Sequence, residues 1–212
     1  MDGDSDISTD SGGATATERR REWLARARMK PARNWPWDAA AFLWGLAESL
    51  FFFIAAEVLV SYLALSNPIR ALRAAVFALI GAVVGIAALY AWGGRDAFST
   101  MAVLSALPGL EPEVMEAAEN ALMEHGLRAV PAGVLSASSG KAHAIFAAQL
   151  GIGLAPFLAV FAIIRLIKLL LVGCVSFCLG AMAQCFLSRR IVIALWAVAW
   201  GLIYWRIFWP AM

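Results

Sequence analysis

The sequence predicts an all-α integral membrane protein, with two facing re-entrant helical hairpins and about three full transmembrane helices in an inverted-repeat arrangement. Three observations predict this fold class. First, 62% of the 212 residues are hydrophobic and the mean hydropathy is +0.75, whereas soluble domains are about 45–50% apolar. Second, ionisable residues interrupt long apolar stretches. Third, only one arrangement of those stretches places every basic flank on the same side of a membrane.

The N-terminal region differs in composition from the rest of the chain. Residues 1–18 are acidic and rich in Ser, Thr and Gly, which predicts a disordered tail. Residues 19–38 are basic with scattered apolar side chains, which predicts an amphipathic helix on an anionic lipid surface. The apolar run starts too late after Arg19–Arg21 for a twin-arginine export signal. We therefore expect a cytoplasmic basic anchor ahead of a membrane domain over residues 39–209.

The first half of the membrane domain contains a charged apolar segment, a clean span and a polar loop. The charged segment covers residues 39–66, and the span covers residues 69–92. Gly81 and Gly85 give that span a small-residue face for close helix packing, and Gly93 and Gly94 are expected to end it. The loop, residues 95–126, is rich in acids and contains a predicted surface helix at Pro112–Glu124.

The second half repeats this order. A charged apolar segment covers residues 130–153, a long apolar helix covers 154–187, and a last span covers 191–208. At about 1.5 Å per residue the long helix measures roughly 51 Å, which exceeds a bilayer core of roughly 30 Å and requires a tilt, a kink or a protrusion. Its three cysteines are expected to be small packing residues rather than metal ligands: Cys174, Cys178 and Cys185.

The positive charges predict the topology, because Lys and Arg are enriched on the cytoplasmic side. The basic flanks are the N-terminal cluster, residues 70–73 and residues 189–190. If both charged segments dip into the membrane and return, all three flanks are cytoplasmic and the acidic loop is external. Irregular backbone at membrane depth requires a cover of protein or a cavity, which two facing hairpins would supply. The expected location is a bacterial inner membrane, with the N-terminus in the cytoplasm.

Two acids lie inside the first charged segment. A charge at bilayer depth costs about 2.5–3.5 kcal/mol on insertion scales, so Glu48 and Glu57 indicate a buried polar site. They are nine residues apart and would face opposite sides of a continuous helix, so a break near residues 53–56 is needed for both to face one cavity. We interpret them as proton-carrying groups or cation ligands, or else as acids neutralised by buried bases.

Three bases lie inside the second half. Arg165 and Lys168 share one helix face and are expected to meet a lipid phosphate or the two glutamates, with snorkelling as the alternative for Lys168. Lys141 follows a serine run and Gly140, and it is expected to meet an anion at the tip of the second hairpin, although the spacing of a P-loop is missing. His143 is either a proton relay or a hydrogen-bonded packing histidine.

Several short stretches resemble the DedA family (VTT or SNARE-associated domain membrane proteins), closest to its short YqaA-type branch. Those in the first half are Glu48-Ser49-Leu50-Phe51-Phe52, Glu57-Val58-Leu59 and Ala64-Leu65-Ser66-Asn67-Pro68. Gly140-Lys141 and Arg165-x-x-Lys168 are similar to the loop lysine and the Arg-Gly-x-Arg signature of the family. The chain departs from the family pattern where prolines usually precede the second acid and the lysine. Those positions hold Ile54-Ala55-Ala56 and Ser138-Ser139-Gly140.

The resemblance implies facing re-entrant hairpins and a flippase- or scramblase-like lipid transporter driven by protons. It implies a phospholipid or a polyprenyl phosphate as substrate, with Glu48, Glu57, Arg165 and Lys168 as the functional residues. The sequence itself contains no pattern of a nucleophile or of metal ligands, so we expect no enzyme, cofactor, metal site or nucleic-acid partner. Trp-rich ends and small-residue faces permit a homo-oligomer. The alternative is a non-transporting structural or assembly protein whose buried charges form ion pairs.

Overall fold

The computed structural model describes residues 35–51, 54–106, 110–136 and 139–208, and these residues form helices joined by short turns, with no strand among them. The predicted all-α class is confirmed. The expectations for residues 1–18 and for 19–34 lie outside the described residues. The helices are α1 (Trp35–Leu50), α2 (Glu57–Ala64), α3 (Pro68–Arg95), α4 (Ala97–Ser105), α5 (Pro112–His125), α6 (Val130–Leu135), α7 (Ser139–Gln149), α8 (Leu154–Gln184) and α9 (Arg189–Phe208), with a 3₁₀ turn at Gly126–Ala129.

Two helices of the described part, α3 and α8, are long and apolar enough to cross a membrane by length and composition. They contain 28 and 31 residues and match two of the three predicted spans. Only 17% of the most apolar 18-residue stretch of α8 is buried within the protein, so most of its apolar side chains lie outside the core. Extended apolar surface of this kind marks contact with lipid or with another protein. The third predicted span forms the 20-residue helix α9.

Helix α3 is central and packs against α1, α2, α7 and α8. The side chain of Asn67 caps it by accepting hydrogen bonds from the amides of Ile69 and Arg70, each at 3.1 Å, and Pro68 in the first turn fits the helix start. The predicted close packing at Gly81 is confirmed, because a Cβ there would collide with the backbone of Phe42 in α1.

The end of the first span and the content of the acidic loop differ from the predictions. Helix α3 continues through Gly93 and Gly94 to Arg95, because a glycine inside a helix only weakens it. Gly93 also lets α7 pack closely against α3, since a Cβ at this position would lie 2.9 Å from Ile145 Cγ2. The acidic loop contains the predicted surface helix as α5, but α4 precedes it and was not predicted. The Asp96 side chain caps α4 by accepting a hydrogen bond from the Ser99 amide at 3.0 Å.

Buried apolar side chains form two clusters, and α8 contributes to both. One cluster joins the second half of α3 to α4, α5, α6, α7 and the start of α8, and the other joins α1 and α2 to the first half of α3 and to Leu169. The buried stripe of α8 is Phe157, Phe161, Arg165 and Leu169, spaced four residues apart on one helix face. A charged residue therefore lies on α8 between two apolar clusters.

The expectation that the three cysteines are buried packing residues is wrong. Cys174, Cys178 and Cys185 are free and exposed. They lie off the buried stripe of α8, so their spacing along one face places them on the outer surface instead.

Candidate functional site

The chain breaks between the two glutamates, as predicted. Helix α1 ends at Leu50 and α2 begins at Glu57, so Glu48 lies in the last turn of one helix and Glu57 in the first turn of the next. The break removes the geometric obstacle of a continuous helix, in which the two carboxylates would point in opposite directions. Both acids now face α8.

Side chains rather than prolines hold the backbone at this break. Among the described residues, hydrogen bonds run from Trp44 Nε1 to the Ile54 carbonyl at 2.9 Å, from the Ala55 amide to the Tyr204 hydroxyl at 2.8 Å, and from the Ala56 amide to Glu48 Oε2 at 2.8 Å. Backbone groups buried without a partner are costly, so these bonds account for a stable break in a sequence that lacks the prolines. Glu48 thus has a structural contact in addition to its charge.

The two acids meet two bases of α8. Arg165 Nη2 donates to both carboxylate oxygens of Glu48, and its Nη1 lies 3.2 Å from Glu57 Oε1. Lys168 Nζ lies 3.3 Å from the same Glu57 oxygen, which places Lys168 at the acid rather than in the snorkelling arrangement. Formal charges within this cluster of four sum to zero when all are ionised, and we refer to these four residues as the charge cluster.

The charge cluster is removed from solvent to different degrees. The exposed fraction of the side chain is 2% for Glu57, 7% for Arg165, 12% for Glu48 and 20% for Lys168. Glu57 Oε2 is buried and accepts no hydrogen bond from the described residues. Removing one member of a buried ion pair leaves an uncompensated charge, so any change in the charge of one residue must be felt by the others.

Lys141 of the second charged segment lies beside the charge cluster. That segment is also broken, since α6 ends at Leu135 and α7 begins at Ser139, and Lys141 lies in the first turn of α7. A polar cavity of about 30 Å³ is lined by residues including Glu48, Lys141 and Arg165. A water molecule needs roughly 10–15 Å³ of such space, so the cavity has room for about two. The structure therefore brings together all five ionisable residues that the sequence singled out.

His143 is packed inside the protein, 4% exposed. Its imidazole lies against Gly133 of α6, where a Cβ would come within 2.5 Å of Nδ1 and 2.6 Å of Cε1. This close contact supports the interpretation as a packing histidine. His125 is exposed, and its Nε2 lies 3.8 Å from Glu124 Oε1.

Sequence reasoning missed the residues of α9 that reach the first break. Tyr204 bonds an amide 149 residues away in the chain, and the indole nitrogens of Trp196 and Trp200 both donate to Ser61 Oγ at 3.0 Å. The sequence placed these aromatic residues only within the last predicted span, residues 191–208. No local pattern could connect them to α2, because the contact exists only once α9 packs beside it.

No protein-family model, curated protein or solved structure matches this chain. Within the described ranges, no three His, Cys, Asp or Glu side chains come together as a metal site.

Proposed function

We propose that this protein is a DedA-type integral membrane transporter that moves a phosphate-bearing lipid between leaflets, coupled to protons. One observation carries the proposal: two acids beside the first break meet two bases of an apolar helix, and Lys141 beside the second break lines a cavity with one acid and one base of that cluster. Ionisable residues within apolar membrane helices are associated with ion, proton and substrate pathways. The resemblance of the surrounding motifs to the DedA family supports the same function.

In the proposed arrangement α3, α8 and α9 cross a bacterial inner membrane, with the N-terminus in the cytoplasm. The two broken segments enter from opposite sides and meet at α8 as an inverted repeat. Secondary transporters commonly place substrate and coupling ion at such discontinuous helices. The breaks after Leu50 and after Leu135, together with the exposed apolar surface of α8, support this arrangement.

Charge balance supplies a mechanism for coupling. With both acids ionised, Arg165 and Lys168 are neutralised by Glu48 and Glu57. A proton on one acid leaves the two bases with an excess positive charge, which a lipid phosphate neutralises through charge-assisted hydrogen bonds. Loss of that proton restores the ion pairs and releases the phosphate. Proton and phosphate therefore bind together, because each reduces the cost of burying the other.

The test is movement of a labelled phospholipid and of a polyprenyl phosphate between leaflets of proteoliposomes, with and without a pH gradient. We expect gradient-dependent movement by the wild type and its loss in Glu48→Gln and in Glu57→Gln. Glu113→Gln, the same substitution at an exposed acid of α5, is the matched control and should transport normally. Wild-type rates in both cluster variants would exclude the proposed mechanism.

A structural or assembly role is the second candidate, favoured by the equal number of acids and bases in the charge cluster. In that case the ion pairs serve only to hold α1 and α2 against α8. The role predicts that wild type moves neither lipid. It also predicts that Glu57→Gln is destabilising on its own and that Glu57→Gln with Lys168→Met recovers stability, because the partner charges are then removed together.

A further inference from the structure

An apolar groove opens on the outside of the protein, one helical turn beyond the charge cluster. It has a volume of about 240 Å³ and is bounded by α2, α3 and α8. On α2 the groove begins at Val60, one turn after Glu57, and on α8 at Leu169, one turn after Arg165. The groove therefore continues from the faces that carry the charges.

Small residues create the groove. Ala71 and Ala75 of α3 and Gly173 of α8 lie along it, while larger side chains such as Leu72 and Phe177 form its exposed edges. A Cβ on Gly173 would lie 3.4 Å from Val60 Cγ1, so a larger side chain at 173 would project toward α2. The space depends on these small residues.

The dimensions of the groove match one hydrocarbon chain. From Leu169 to Phe177 the helix rises about 12 Å, close to the roughly 15 Å depth of one leaflet of the bilayer core. Spread over that length, a volume of about 240 Å³ describes a narrow trough rather than a broad pocket. A protein helix, about 10–12 Å in diameter, is far too wide for this space.

The two ends of the groove differ in chemistry. The inner end, at Leu169, adjoins the charge cluster, and the outer end, at Pro68, lies at the start of α3. Beside that outer end, Arg189 Nη2 donates to Ser66 Oγ at 2.8 Å, and Arg70 is exposed. Basic side chains at a membrane surface attract lipid phosphates. A lipid bound with its headgroup there would extend its chain toward the charge cluster.

We propose that the groove seats one acyl chain of a phospholipid, with the headgroup at the Pro68 end and the chain terminus at Leu169. The proposal rests on the membrane placement of the proposed function, and it adds a second binding position, for a phospholipid whose headgroup lies away from the charge cluster. The site holds a lipid of the leaflet on the side of Arg70 and Arg189, beside the charge cluster.

The test uses the full chain in vesicles that contain an anionic phospholipid with a photoactivatable diazirine in the middle of one acyl chain. Crosslinked residues are mapped by mass spectrometry. We expect crosslinks to concentrate at Leu72, Cys174 and Phe177, exposed residues that line the groove. Cys174→Trp fills the groove and should reduce labelling of Leu72 and Phe177 several-fold. Val175→Trp, on the adjacent exposed position outside the groove, is the matched control and should leave labelling unchanged.

Three results would overturn the proposal. They are even labelling over the outer surface of α8, unchanged labelling in Cys174→Trp, or crosslinks that show a second copy of the chain in the groove. Should Cys174→Trp not insert, Gly173→Leu fills the same space toward Val60 and repeats the test. Lipid movement by the wild type is measured in the same vesicles. Labelling of the groove without lipid movement would overturn the proposed transport function and support the acyl-chain site. Lipid movement without labelling of the groove would overturn the acyl-chain site alone.

Discussion

The two broken segments reach α8 by different physical means. The first is held by polar groups: ion pairs to Arg165 and the bonds of Trp44, Glu48 and Tyr204 to its backbone. The second is held by close packing, since α7 places small, fully buried side chains in the core at Ala142, Ala144 and Ala147. On the proposed function, the first segment responds to a change in charge and the second is its rigid counterpart. Substitutions that remove polar groups should destabilise the first segment, and substitutions that add side-chain volume should destabilise the second.

The largest effect is expected from Arg165→Met, which leaves both acids of the first segment without their shared partner. Loss of one member of a buried ion pair costs about 3–5 kcal/mol, and the free energy of unfolding should fall by that order. Thermal unfolding in detergent measures it. Lys168→Met should cost less, because Lys168 contacts Glu57 and is 20% exposed. Equal losses in the two variants would contradict the central position of Arg165.

A smaller loss is expected from added volume in the second segment. Gly133→Ala places a Cβ 2.5 Å from Nδ1 of His143, and overpacking of this kind costs about 1–3 kcal/mol. Gly140→Ala is the control, because its Cβ would make an ordinary contact at 3.5 Å with the Gly133 carbonyl. It also reports the general gain from replacing a helical glycine. The melting temperature of Gly133→Ala should be the lower of the two. Equal melting temperatures would mean that the His143 ring moves aside freely.

Tyr204→Phe tests the support that α9 gives to the first break. It removes the acceptor for the Ala55 amide, and loss of one hydrogen bond costs about 1 kcal/mol. Hydrogen exchange should become faster at Ala55. Tyr62→Phe is the control, because the ring contact of Tyr62 with Trp196, at 5.3 Å between centroids, is retained. Unchanged exchange at Ala55 would show that the break is held without α9.

The smallest effect is expected outside both segments, at the exposed cap of α4. Hydrogen bonds from the backbone and side chain of Ser99 hold the pKa of Asp96 below its ordinary value of 3.8. The cap therefore contributes stability above the unfolded pKa and loses it as the pH falls through the lower folded pKa. Fraying of the first turn of α4 should begin below about pH 4, measured by the amide shift of Ser99. Asp96→Asn keeps a hydrogen-bond acceptor but has no titrating charge. The same acid transition in that variant would show that a group other than Asp96 causes it.

Local features of the sequence were enough to predict the all-helical class, the break between the glutamates and the surface helix at α5. A helix turns by a fixed angle per residue, so two acids nine positions apart require a break if both face one site. Apolar stretches predicted α3 and α8 for the same local reason. The resemblance to the DedA family stays a prediction, as do the re-entrant paths of the two segments.

The sequence by itself determined which residues are chemically unusual: five charges in apolar surroundings. Only the tertiary structure decided their partners. Glu48 meets Arg165 across 117 positions of chain, the three cysteines are exposed, and a groove opens where α2, α3 and α8 leave space between them. Periodicity describes one helix at a time, whereas ion pairs, exposed faces and grooves depend on how separate helices are rotated and packed against each other.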